Sequence, residues 1–187
     1  IQILAIDLLA EIMPLTSLTF DPPTPEMMTA RPRNLKEHML NSRTAPEVLL
    51  LGALIGGLAF ANFALFMQRN GVTFLAGEAG GPLYARATAV SYLTIGYCQF
   101  ANILSRRYRY ESVFRMDLFS NKPLLWAIAA SVVLTAVGVS TPSVRDFLAF
   151  AAPAPIDWLY IVGAGLVYLA AFEIMKMWMR SRRASAT

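Results

Sequence analysis

One cysteine and one histidine among 187 residues leave no way to build a disulfide, a bis-His haem or a Cys/His metal centre. Cys98 lies inside an apolar run, where a lone thiol serves as a small packing residue, and His38 lies in a polar stretch. Charge is scarce as well. Asp, Glu, Lys and Arg make up 15% of the chain against 56% hydrophobic residues, whereas soluble domains hold about 25% charged residues. There is no low-complexity tract and no internal repeat. An initiator Met and a basic n-region are also lacking, so no signal peptide is visible and Ile1 reads as a cut point. A net charge of +4 would suggest nucleic acid in a soluble chain. Here the basic residues cluster at the ends of apolar runs, as they do in membrane proteins, so no nucleic-acid partner is expected.

What the sequence does have is a series of apolar runs of bilayer length. A hydrocarbon core about 30 Å thick takes roughly 20 helical residues to cross, and Val48 to Met67 runs without a single charge. The pattern predicts an all-α polytopic membrane protein: a single transmembrane domain over 1–187 with five spans at about 1–20, 46–67, 87–105, 123–141 and 157–179. Cytoplasmic loops are expected at 21–45 and 106–122. Thirteen of the 16 Lys and Arg residues fall in those loops or from Lys176 onward, leaving Arg69, Arg86 and Arg145 for the other face. That bias predicts a cytoplasmic C-terminus. The location implied is integral membrane, plasma or cell inner membrane. Gly52 and Gly56 form a GxxxG pair, expected to let a neighbouring helix approach closely.

The chemistry is concentrated in the first span. Intramembrane carboxylates cost about 2.5–3.5 kcal/mol each on insertion scales, and Asp7 and Glu11 lie one turn apart on one face. Like charges at that spacing need compensation: either they share a proton or a cation sits between them. Pro14 cannot donate to the Ala10 carbonyl, so the helix is expected to kink or unwind there. Two carboxylates and a freed carbonyl are hard oxygen ligands, suited to Na⁺, K⁺, Ca²⁺ or Mg²⁺. On the third span Ser91, Thr94, Cys98, Gln99, Asn102 and Ser105 form a polar face. It reads either as helix–helix glue or, at Gln99 and Asn102, as the completion of a cation site. Glu173 and Lys176, three residues apart, read as a structural ion pair. The tail Arg182-Arg183-Ala184-Ser185 carries a kinase-like basic-x-Ser pattern. On these residues alone a cation pump, a secondary cation transporter or channel subunit without ATP coupling, and a structural scaffold all stand.

The run Ile6-Asp7-Leu8-Leu9-Ala10-Glu11-Ile12-Met13-Pro14, followed by Phe20-Asp21-Pro22-Pro23, Met27, Met28 and Arg31-Pro32-Arg33, resembles P-type ATPases of the calcium and sodium/potassium pump group at their sixth transmembrane helix. Gln99-Phe100-Ala101-Asn102 is similar to their eighth helix, Ser112-Val113-Phe114 and Asn121-Lys122 to the next cytoplasmic loop, and Phe172-Glu173 to Arg183 to the basic end of the tenth. The resemblance spans the whole chain as helices six to ten. It implies the membrane-embedded part of an ATP-driven cation pump, a translocase. Asp7, Glu11 and the Ala10 carbonyl would bind the transported cation with Gln99 and Asn102 contributing, and Asp7 and Glu11 would be the metal-ligating carboxylates. Asp at position 7 leans toward the sodium/potassium branch. Glu11 stands for the family's usual Asp, Ala10 for Thr and Asn102 for an acid, leaving Na⁺, K⁺ and Ca²⁺ as candidates. The phosphorylation motif DKTGT is absent from this chain. No catalytic residue is therefore expected in it, and ATP and Mg²⁺ would enter only through other domains of the parent. The implied partners are the lipid bilayer and the parent's remaining helices and cytoplasmic domains. No patch after Met67 matches an accessory β subunit site, so that partner is not expected.

Overall fold

The computed structural model describes residues 4–5, 7–22, 41, 44–72, 81–107, 112–115 and 118–184. The stretch 23–40, with the Met27 and Arg31 motif and His38, lies outside them, as does Ser185. Among the described residues the fold is all-α, that of a polytopic membrane protein, without a strand.

The chain opens on a π-helical turn, Asp7–Glu11, which runs into α1, Ile12–Ser17, and a 3₁₀ turn, Leu18–Phe20. Pro14 is the cause of the change in winding. Without an N–H it cannot close an α-helical bond to the Ala10 carbonyl, and the backbone widens just ahead of it, as π turns do where the regular ladder is interrupted. Thr16 and Ser17 donate their hydroxyls back to the Ile12 and Met13 carbonyls at 2.7 and 2.8 Å. This settles two polar side chains on an apolar segment.

Helices α2 (Ala45–Arg69), α3 (Pro82–Arg106), α4 (Lys122–Ser140), a short α5 (Pro142–Leu148) and α6 (Pro155–Ala184) follow. Among the described residues three stretches are long and apolar enough to cross a membrane: Ala45–Arg69, Lys122–Ser140 and Pro155–Arg182. Their outward faces carry Leu49, Phe60, Trp126, Leu159 and Leu166, all exposed. In water that would be a liability; in a bilayer, where lipid tails are as apolar as leucine, it costs nothing. Helix α3 is as long as α2, at 25 residues, yet more polar, and it has the longest run of buried positions. The reason is its place at the centre, packed against α2, α6 and the π turn. Its polar residues are spent on neighbours, not on lipid. Helix α5 occupies a stretch whose prolines suggest only a loop; Pro142 opens the helix, and Ala149, left-handed at φ 54°, ends it.

Among the described residues the GxxxG pair is not where helices meet. A Cβ built on Gly52 or Gly56 would touch nothing within 4 Å, whereas one on Gly165 would lie 3.5 Å from the Tyr97 carbonyl oxygen, and one on Gly96 would lie 3.9 Å from the Ala10 Cβ. Close approach therefore occurs between α3 and α6, and between α3 and the π turn. Each end of the bundle is tied by charge. At one end Asp157, buried, accepts from Arg69 at 2.6 Å, from Arg86 at 3.1 Å and from the Ala154 N–H at 2.7 Å. At the other end Asp21 pairs with Arg107 at 2.8 Å, and Asn121 donates to both Asp21 and the Ser17 carbonyl while capping α4. This second knot fixes the C-terminal end of α1 against the ends of α3 and α4.

Candidate functional site

The π turn puts Asp7 and Glu11 on one segment with different surroundings. Asp7 is exposed at the edge of this chain, and Glu11 is half-buried against α3. Ala10 between them is buried, its methyl facing Gly96. That contact sets the turn against α3 and leaves Glu11 near both Gln99 and Asp7. Asp7 and Glu11 thus share one widened turn, a stretch of irregular backbone set against packed helices.

Gln99 and Asn102 are joined to each other, Asn102 Nδ2 donating to Gln99 Oε1 at 3.1 Å. The Asn102 oxygen accepts from the Tyr168 hydroxyl at 3.1 Å and from Arg106 Nε at 3.0 Å. The rest of the polar face on α3 serves packing. Thr94 accepts from Asn62 at 2.8 Å, and Ser91 donates to the Ala59 carbonyl at 3.1 Å, so both stitch α3 to α2. Cys98 is fully buried beside Tyr168 and Phe172. Glu173 and Lys176 form an ion pair at 3.3 Å, and Glu173 also accepts from the Val113 N–H at 3.3 Å, which holds the connector to α6.

Sequence reasoning passed over Tyr168, whose buried hydroxyl needs a partner, and Asp157, an acid at the start of an apolar span. Ser131 and Thr135 were passed over too. They sit one turn apart on α4, which packs on the π turn, with both hydroxyls buried and without a partner among the described residues. No cluster of three or more His, Cys, Asp or Glu side chains that could hold a metal forms among the described residues.

Fold and site together define an all-α polytopic membrane protein with a carboxylate pair on a π turn against its central helix. The chain belongs to the family described as cation transporting ATPase, C-terminus, whose model matches residues 1–178. It is 25% identical over 187 residues to calcium-transporting ATPase 1 of Bacillus cereus, covering 95% of this chain and 20% of that protein. It is 26% identical over 167 residues to the calcium-transporting ATPase of Bacillus subtilis, covering 89% of this chain and 18% of that one. With the human calcium-transporting ATPase type 2C member 1 it shares 24% identity over 181 residues, 97% of this chain and 18% of that protein. The chain thus spans about a fifth of the length of these relatives.

Proposed function

We propose that this chain is the membrane-embedded C-terminal region of an ATP-driven calcium pump and that Asp7 and Glu11, with the Ala10 carbonyl, form its contribution to the transmembrane cation site. The observation that carries the reading is the carboxylate pair on a π turn that the Ala10–Gly96 contact sets against α3. Intramembrane acids are costly unless a function compensates them. Calcium takes 6–8 oxygen ligands, more than this chain gathers. The remaining ligands, together with ATP, Mg²⁺ and the chemistry of phosphorylation, belong to parts of the pump outside it. The relatives' names favour calcium over the sodium/potassium branch to which Asp7 alone leans. The Lys and Arg bias favours a cytoplasmic C-terminus.

The test is calcium-activated ATP hydrolysis by the full-length protein carrying this chain. Asp7→Asn and Glu11→Gln should each raise the half-saturating calcium concentration by about tenfold, roughly 1.4 kcal/mol, with near-normal folded yield, because losing one carboxylate also relieves the repulsion between them. Unchanged half-saturation in both variants would rule the site out.

A further inference from the structure

A hydroxyl on an apolar helix has a ready acceptor in the carbonyl one turn back. Thr94 donates to the Val90 carbonyl at 2.8 Å, and on α4 itself Ser140 donates to Ala136 at 2.7 Å. Ser131 and Thr135 do not follow. Ser131 is fully buried and Thr135 is 5% exposed, yet neither hydroxyl has a partner among the described residues. A buried polar group in that condition destabilises the fold unless something else satisfies it. The buried stripe of α4 runs through Leu124, Ala127, Ser131, Thr135 and Val139, and α4 packs chiefly on α1 and the π turn. The two segments run antiparallel, because Asn121 at the start of α4 donates to the Ser17 carbonyl and to Asp21, at the far end of the first segment. Ser131 stands ten residues beyond Asn121, about 15 Å along the helix at 1.5 Å per residue. The same distance back from Asp21 leads to Glu11. Val132 packs against the core cluster that includes Ala10, which gives the same level. Both hydroxyls therefore lie at the depth of the π turn. There Pro14, itself buried, leaves the Ala10 carbonyl without its α-helical bond.

We propose that Ser131 and Thr135 together hold one internal water between α4 and the π turn, and that this water binds the Ala10 carbonyl and so positions the turn for the cation. Side chains one turn apart on a helix lie about 5–6 Å from each other at Cβ, a gap that one water bridges with two bonds of about 2.8 Å. Both hydroxyls donate to the water and the water donates to the carbonyl. That gives it the three bonds usual for a buried water. Freed backbone at membrane depth is satisfied by Ser and Thr side chains and by ordered water in just this way. A carbonyl oxygen has two lone pairs, so Ala10 keeps one for a cation while the other is held from the α4 side. Ser131 and Thr135 are positioning residues: they act on the cation through the turn. This rests on the reading of the π turn as part of the cation site.

The experiment uses the full-length protein, with calcium as the probe and half-saturation of ATP hydrolysis, maximal rate and melting temperature in detergent as readouts. Ser131→Ala with Thr135→Val removes both hydroxyls with little change of shape. It should raise the half-saturating calcium concentration about threefold, as for loss of one ordinary hydrogen bond. The maximal rate should be largely kept and the melting temperature lowered. Hydroxyls that bonded to nothing would give the opposite: apolar replacements would melt higher and leave calcium activation alone. Unchanged half-saturation in this pair overturns the inference whichever way the melting temperature moves. Ser131→Thr with Thr135→Ser keeps both hydroxyls and should stay close to wild type, a rescue that packing alone would not give. A shift there as large as in the apolar pair would mean that shape matters and the hydroxyls do not, which also overturns it. If the apolar pair does not yield folded protein, Thr135→Val alone takes its place under the same criterion. A high-resolution structure of the calcium-bound protein should show a water within hydrogen-bond distance of both hydroxyls; hydroxyls turned back to the carbonyls of Ala127 and Ser131 would sink the proposal. Glu11→Gln separates the two levels. No effect there removes the site reading and this inference with it, whereas weakened activation in Glu11→Gln beside an unaffected apolar pair removes only the inference.

Discussion

Asp157 and Glu11 are both carboxylates within an apolar chain, and their neighbours divide their roles. Asp157 accepts from two guanidinium groups and from the Ala154 N–H while 1% exposed, so its charge is spent inside the protein on holding the ends of α2, α3 and α6 together. Glu11 lies near Gln99 and a like-charged neighbour, and in the proposed site its charge is balanced by a cation. The two residues should therefore respond differently to substitution. Asp157→Ala removes the acceptor that Arg69 and Arg86 share. It should cost about 1.5–3 kcal/mol, the range for hydrogen bonds to charged groups; the full penalty of a buried orphan charge is not expected because both arginines are about a third exposed. Thermal unfolding in detergent checks this, and half-saturation by calcium should stay put. A change in calcium affinity without loss of stability would place Asp157 in the site.

Among the elements, α3 is the one on which the others depend. It packs on α2 and α6 and supplies Gly96 and Gln99 to the π turn. It comes close to α6 at Gly165, where an added Cβ meets the Tyr97 backbone at ordinary van der Waals distance. An alanine fits there and a longer side chain does not. Gly165→Leu should lower the melting temperature in detergent clearly, by an overpacking cost of about 1–3 kcal/mol. Gly52→Leu, on an open face of α2, should melt within about 0.5 kcal/mol of wild type, as surface substitutions do. Equal losses in the two variants would mean that α2 is packed through its glycine face. The contrast also shows why a GxxxG pattern does not assign a contact. The spacing says that two glycines share a face, and only the neighbour decides whether that face is used.

For the whole molecule, the charge bias along the chain has a direct consequence. Ser143 and Ser181 are both exposed and lie at opposite ends of the bundle, at the start of α5 and near the end of α6. With Cys98 buried, a cysteine at Ser143 should react with an impermeant thiol reagent added outside intact cells and one at Ser181 should not; the reverse labelling would invert the orientation. The all-α membrane class, the acid pair at Asp7 and Glu11, the break ahead of Pro14 and the family resemblance were determined by the sequence alone. Each rests on a local cause: run length, charge spacing, a missing N–H, or a motif of adjacent residues. The partners of those groups were decided by tertiary structure. Nothing in the order of residues says that Ala10 meets Gly96, that Asn102 turns to Tyr168 and Arg106, or that Asp157 gathers two arginines from other helices. The polar face of α3 looked uniform in sequence because periodicity records only which way a side chain points. The division of that face between packing to α2 and bonding to Tyr168 on α6 follows from the positions of neighbouring elements, which the packing of the whole bundle sets.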